Sequence, residues 1–88
     1  MRPSSFPEMA DYITQVLETN LSQELRTEWV DASGNRIRWS SDRFSALLVL
    51  EHGRTFLYRD NLGLVEMTPL RIEEVAQTVL CYLWDGTT

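Results

Sequence analysis

One cysteine in 88 residues cannot close an internal disulfide, so no oxidised framework holds this chain together. A lone thiol fits a reducing compartment, and a cytoplasmic protein is the expectation. Lysine is absent, and all eight cations are arginine. Codon usage accounts for that plainly; a preference for bidentate contacts at an interface is the functional alternative. The four glycines are scattered singly, which leaves no loop to cradle a phosphate. No window approaches the roughly 18 apolar residues of a membrane span. No apolar run of signal-peptide length follows Met1-Arg2-Pro3-Ser4-Ser5. Internal repeats, low-complexity tracts and linkers are missing too.

What is present suits one modest core. Apolar residues make up 43% of the chain, just under the globular average. The net charge of −5 opposes broad attraction to nucleic-acid phosphates or anionic lipid. That charge is unevenly spread. Residues 1–25 set Arg2 against Glu8, Asp11, Glu18 and Glu24, and residues 60–88 set Arg71 against five acids. Residues 26–59 hold six arginines against Glu28, Asp31, Asp42 and Glu51. The ends are acidic and the middle mildly basic.

Ser5-Phe6-Pro7-Glu8 reads as a capping box opening a helix, with Ser5 as N-cap and Glu8 reaching back. Met9, Ile13, Val16, Leu17 and Leu21 then share one face at spacings of three and four, with Asn20 as a stop. Arg26–Asp31 and Arg36–Ser40 are short strands around the turn Ala32-Ser33-Gly34-Asn35. They bring Glu28 near Arg38 and read as a wet sheet edge. Ser45–Leu50 is nearly unbroken apolar sequence, a central strand. His52-Gly53 makes a two-residue hairpin turn into Phe56, Leu57 and Tyr58, which sets Glu51 opposite Arg54, Val49 opposite Phe56, and Leu47 opposite Tyr58. A second two-residue loop, Asn61-Leu62, leads into a strand over Leu64–Thr68. Thr68-Pro69 reads as N-cap and N1 of a last helix, whose stripe is Ile72, Val75, Ala76, Val79, Leu80 and Leu83. Gly86 closes it. The fold class expected is α+β: a two-layer domain of N-terminal helix, five-stranded antiparallel β-meander and C-terminal helix, one domain over residues 1–88. Residues 1–4 are expected to be disordered and 87–88 frayed.

On that register Leu47, Val49, Phe56, Tyr58, Val65 and Met67 share a wholly apolar face, which is assigned to the helices. The other face carries Phe44, Ala46, Leu48, Leu50 and Leu57 beside Thr55 and Arg59. A two-residue loop at Ser41-Asp42 would place Ile37 and Trp39 with Phe44 and enrich the second face instead, and one more residue in that loop reverses this.

Catalytic and metal chemistry find no support. His52 is the single histidine and a turn residue, with no nucleophile or orienting acid placed beside it. Cys81 sits late in a helix, the wrong end for a reactive thiolate. One His and one Cys, far apart, make no tetrahedral site. No catalytic, cofactor-binding or metal-binding residue is assigned, no cofactor is expected, and the protein is not read as an enzyme. Glu66, Glu73 and Glu74 read as a solvated acidic face.

The expectation for function is a non-enzymatic interaction module, a homodimer or a unit that docks on a larger protein. Its anchors are Phe44, Leu48, Leu50, Leu57, Arg59, Tyr82 and Trp84. An adaptor, a secretion-type chaperone, or a small inhibitor of phage or mobile-element kind would share this pattern. A second expectation is a small-ligand carrier with a pocket between sheet and helices lined by Phe56, Tyr58 and Trp84. A third, less favoured because of the acidic total, is single-strand nucleic-acid binding by Arg36, Arg38, Arg43, Arg54 and Arg59 among Trp39, Phe44 and Tyr58.

Overall fold

The computed structural model describes residues 5–22 and 24–87, so the expectations for residues 1–4 and Thr88 lie outside the described residues. The order is helix α1 (Phe6–Asn20), strands β1 (Arg26–Trp29), β2 (Arg36–Ser40), β3 (Ser45–Glu51), β4 (Arg54–Arg59) and β5 (Gly63–Glu66), then helix α2 (Ile72–Asp85). The five strands form one antiparallel sheet in chain order. This is the expected α+β meander between two helices. Thr87, expected to fray, is tied back: its N–H and hydroxyl both donate to Asp85 Oδ1, at 3.1 and 2.6 Å.

The first helix starts as its sequence dictates. Ser5 Oγ accepts the Glu8 N–H at 3.3 Å, and Leu21 N–H closes the far end on Leu17 O at 2.9 Å. Its buried stripe is Phe6, Ala10, Ile13 and Leu17, with Met9 and Val16 half-buried beside it. Phe6 extends the stripe towards β1, where its ring meets Trp29 edge-on at 6.2 Å.

The hairpin from β3 to β4 has the expected register throughout, from Glu51 opposite Arg54 to Leu47 opposite Tyr58. His52 (φ 53°) and Gly53 (φ 75°) both take the left-handed conformation, which gives the turn the twist that the strands need. The next hairpin departs from expectation. Its loop holds three residues, Asp60-Asn61-Leu62, because Arg59 pairs with Gly63 rather than with Leu64. Arg59 fixes that loop, donating to Gly63 O at 3.3 Å and Leu62 O at 3.4 Å. The one-residue slip puts Val65 opposite Leu57 and Leu64 opposite Tyr58.

The consequence is a reversal of faces. Both helices pack on the side that carries Ile37, Trp39, Ala46, Leu48, Leu57 and Met67, all within the one core cluster. Leu47, Phe56 and Tyr58 look the other way. Strand β2 is therefore not a wet edge: Ile37 and Trp39 are among the most buried side chains, and only β1 is exposed along its whole length. The missing step was the loop between Ser40 and Phe44. Ser41 N–H and hydroxyl fold back on Phe44 O at 2.8 and 3.4 Å, so Ser40 opposes Ser45 and Trp39 opposes Ala46.

Thr68-Pro69 does not start the last helix. Thr68 Oγ1 accepts the Thr55 N–H at 2.8 Å and so prolongs the sheet, and Leu70 N–H bonds Met67 O at 3.0 Å to make a turn over Thr68-Pro69. The helix begins after Arg71, whose N–H donates to Glu74 Oε1 at 3.0 Å. It ends at Gly86 as expected, with φ 81° and its N–H on Tyr82 O at 2.8 Å.

Candidate interaction surface

Of the seven expected anchors, Leu48, Leu57 and Tyr82 are fully buried in the core. That part of the expectation is corrected, since these side chains reach no partner while the chain is folded. Tyr82 is covered by its own chain. Its ring packs on Phe44 at 5.4 Å, and its hydroxyl accepts the Asn61 N–H at 3.3 Å. Phe44 and Leu50 are half-buried against the same core, and Arg59 is held by its loop. Only Trp84 stands out in water, 53% exposed near the end of α2.

The layers are charged differently. The helices carry Glu8, Asp11 and Glu18 on α1 and Glu73, Glu74 and Asp85 on α2, with no cation in either. The uncovered face of the sheet carries Arg26, Arg36, Arg38 and Arg54 against Glu28, Glu51 and Glu66 on its strands. The basic middle of the sequence is thus spent on the sheet, the acidic ends on the helices.

Cross-strand pairing orders the uncovered face into rows. One row runs Glu28, Arg38, Leu47, Tyr58, Leu64 from β1 to β5; the next runs Arg36, Val49, Phe56, Glu66 from β2 to β5; Glu51 and Arg54 form a third. Val49 is buried here between its row neighbours Arg36 and Phe56. Tyr58 and Leu64 lie side by side, 47% and 52% exposed. The rim is pinned by ion pairs. Arg38 sits 3.6 Å from Glu28, while Arg54 grips Glu66 through two 3.0 Å bonds and lies 5.9 Å from the Phe56 ring centre. Hydrogen bonding to Thr68, then to Arg54, holds the Glu66 carboxyl below its ordinary pKa. A shallow recess of about 270 Å³ lies at the hairpin end of this face, lined by Glu51, His52, Arg54, Phe56, Tyr58 and Leu64.

This geometry separates residues that the other two expectations needed together. Phe56 and Tyr58 are on the opposite side of the sheet from α2 and Trp84, so the three do not line one pocket. Within the arginine stripe, Trp39 is fully buried and Arg59 points to the helix side, leaving Arg36, Arg38, Arg54 and Tyr58 on a common face. Among the described residues no group of three His, Cys, Asp or Glu could hold a metal ion, and no helix is long and apolar enough to cross a membrane. Leu47, Phe56 and Tyr58 are the surface residues that sequence reasoning misplaced. The signal that could have found them is the length of the Ser41–Phe44 connection, which puts Ile37 and Trp39 on the side of Ala46 and Leu48 and so marks that side as the core.

No known protein family, curated protein or solved structure matches this chain.

Proposed function

We propose that this chain is a non-enzymatic protein–protein interaction module, working in the cytoplasm, whose docking surface is the uncovered face of its sheet. The supporting observation is the contiguous set of Tyr58, Leu64, Leu47 and Phe56 on a face that neither helix covers. An antiparallel sheet can be solvated on one side, but such a side usually alternates to polar residues. Here its centre stays apolar and its charges are pushed to the rim, the arrangement of a docking patch. The fitting occupant is a surface of mixed charge, a second copy of this chain foremost. The helix side is less suited, since its exposed Tyr12 and Trp84 sit on two different helices that both carry carboxylates.

The test compares tagged wild type with a Tyr58→Glu/Leu64→Glu variant in extract of the source cells. A stoichiometric partner, a second copy included, should be retained by wild type and lost by the variant, and should bind again once purified. If wild type holds no partner that the variant loses, the proposal fails.

A further inference from the structure

We infer that the occupant of the open face is a second copy of this chain, packed sheet to sheet about a twofold axis that runs parallel to the strands between β3 and β4. The inference rests on the docking reading above and adds the partner and its orientation.

Charge chooses the face. A dimer through the helix layers would bring two sets of helix carboxylates together, with Arg71 at the start of α2 and Arg43 near Asp85 offsetting them in part. The sheet face carries both signs in near balance, and using it leaves the acidic layers outermost and far apart.

Symmetry then chooses the orientation. A twofold axis in the interface plane can run across the strands or along them. Across the strands, β2 meets β2, and Arg36 and Arg38 oppose the same arginines of the other copy. Along the strands, each row faces itself in reverse order, so β2 meets β5 and β3 meets β4. Leu47 then faces Tyr58 and Val49 faces Phe56, apolar on apolar. Arg36 faces Glu66 and Glu51 faces Arg54, opposite signs in each case. The stem of Arg38 falls over Leu64. About this axis the apolar centres of the two long rows face one another and Arg36 with Glu66 and Glu51 with Arg54 meet as opposite signs, the self-complementarity an isologous interface requires. Twisted sheets packed in this way cross at about 30°, which shifts the outer pairs by a few ångströms but keeps their order.

The overlap is small. Four strands at about 4.8 Å spacing and about five residues of length make a footprint of roughly 19 by 17 Å. That lies below the size of a standard specific interface, so the dimer is expected to be weak and to exchange readily.

The experiment is sedimentation equilibrium on the purified chain from micromolar to millimolar concentration. Wild type should pass from monomer to dimer mass. Arg36→Glu sets glutamate against Glu66, and Glu66→Arg sets arginine against Arg36, so each variant alone should dimerise at least tenfold more weakly. Mixed one to one, they restore both contacts across the axis and should regain a heterodimer at near wild-type concentration. Circular dichroism checks that each variant is folded, and Arg36→Gln with Glu66→Gln, if either charge reversal is not, carries the same comparison with a smaller effect. A monomer mass for wild type through 1 mM overturns the inference while leaving the capture test above to decide the docking reading. Dimers that the charge variants do not weaken, or a mixture that fails to recover, also overturn it.

Discussion

Trp39 donates its indole N–H to the hydroxyl of Thr14 at 2.8 Å, and the Thr14 hydroxyl in turn donates to Ala10 O at 2.7 Å. This chain ties the largest fully buried side chain of the sheet to the first helix. Replacing Thr14 with Val keeps the shape and removes both bonds, leaving the indole N–H buried without an acceptor. The expected cost is about 1–3 kcal/mol. Thr14→Ser, which keeps the hydroxyl, should cost less than half as much. Urea denaturation followed by tryptophan fluorescence measures both; equal midpoints for the two variants would show that the bond contributes nothing.

Gly86 and Gly34 both have positive φ, 81° and 75°, but their surroundings differ. A Cβ on Gly34 would meet nothing within 4 Å, whereas one on Gly86 would lie 2.6 Å from Phe44 Cζ, whose ring also packs on Tyr82. Gly34→Ala should therefore cost only the left-handed conformation, about 1–2 kcal/mol. Gly86→Ala adds a clash with a ring that the core holds in place and should cost at least 1 kcal/mol more. Thermal unfolding of the pair is the check, and a Gly86→Ala melting point equal to that of Gly34→Ala contradicts it.

The Glu66 carboxyl accepts from Thr68 and Arg54, and its pKa is lowered. A lowered pKa means that the contribution of this group is present above the unfolded-state value and is lost as pH falls through the folded-state value. The β4–β5 hairpin should thus loosen only in acid, below the ordinary glutamate pKa of about 4.3. A carbon-13 titration of the Glu66 carboxyl should place it below the ordinary glutamate value, and Arg54→Gln should move it part of the way back. No movement would mean that Thr68 alone holds it. Because the pair is largely exposed, the effect on overall stability should be small.

Element order, the N-cap at Ser5, the His52-Gly53 hairpin and the Gly86 stop were legible because each depends on residues within four positions of one another. What was not legible depends on counting. Whether Asp60 lies in the loop or in the strand is a matter of one residue, decided by Arg59 bonding two carbonyls that sequence does not reveal as neighbours. The same holds at Thr68, where a good N-cap residue next to a proline is taken instead by Thr55. Local preference lost there to a longer-range hydrogen bond, and the helix began later. The register across both loops, which adds Ile37 and Trp39 and then Val65 and Met67 to the side of Leu57, moved Leu57 from surface to core and Tyr58 from core to surface. It therefore exchanged most of the anchor set without disturbing the architecture.

Leu57 and Tyr58 are adjacent in β4 and sit on opposite sides of the sheet, the first fully buried under the helices and the second 47% exposed. Glutamate at each position separates the two faces experimentally. Leu57→Glu places a carboxylate in the core beside Leu48 and Val65. It must either ionise there or bind a proton, and it also loses a buried side chain. The combined penalty is expected to reach about 4 kcal/mol or more, comparable to the whole stability of a domain this small. Tyr58→Glu gives up only strand preference and cross-strand contact with Leu47 and Leu64, about 1 kcal/mol. Circular dichroism should therefore show Leu57→Glu largely unfolded at neutral pH and Tyr58→Glu folded, with a melting point lowered by a few degrees. The reverse result would return the helices to the other side of the sheet and take the docking face with them.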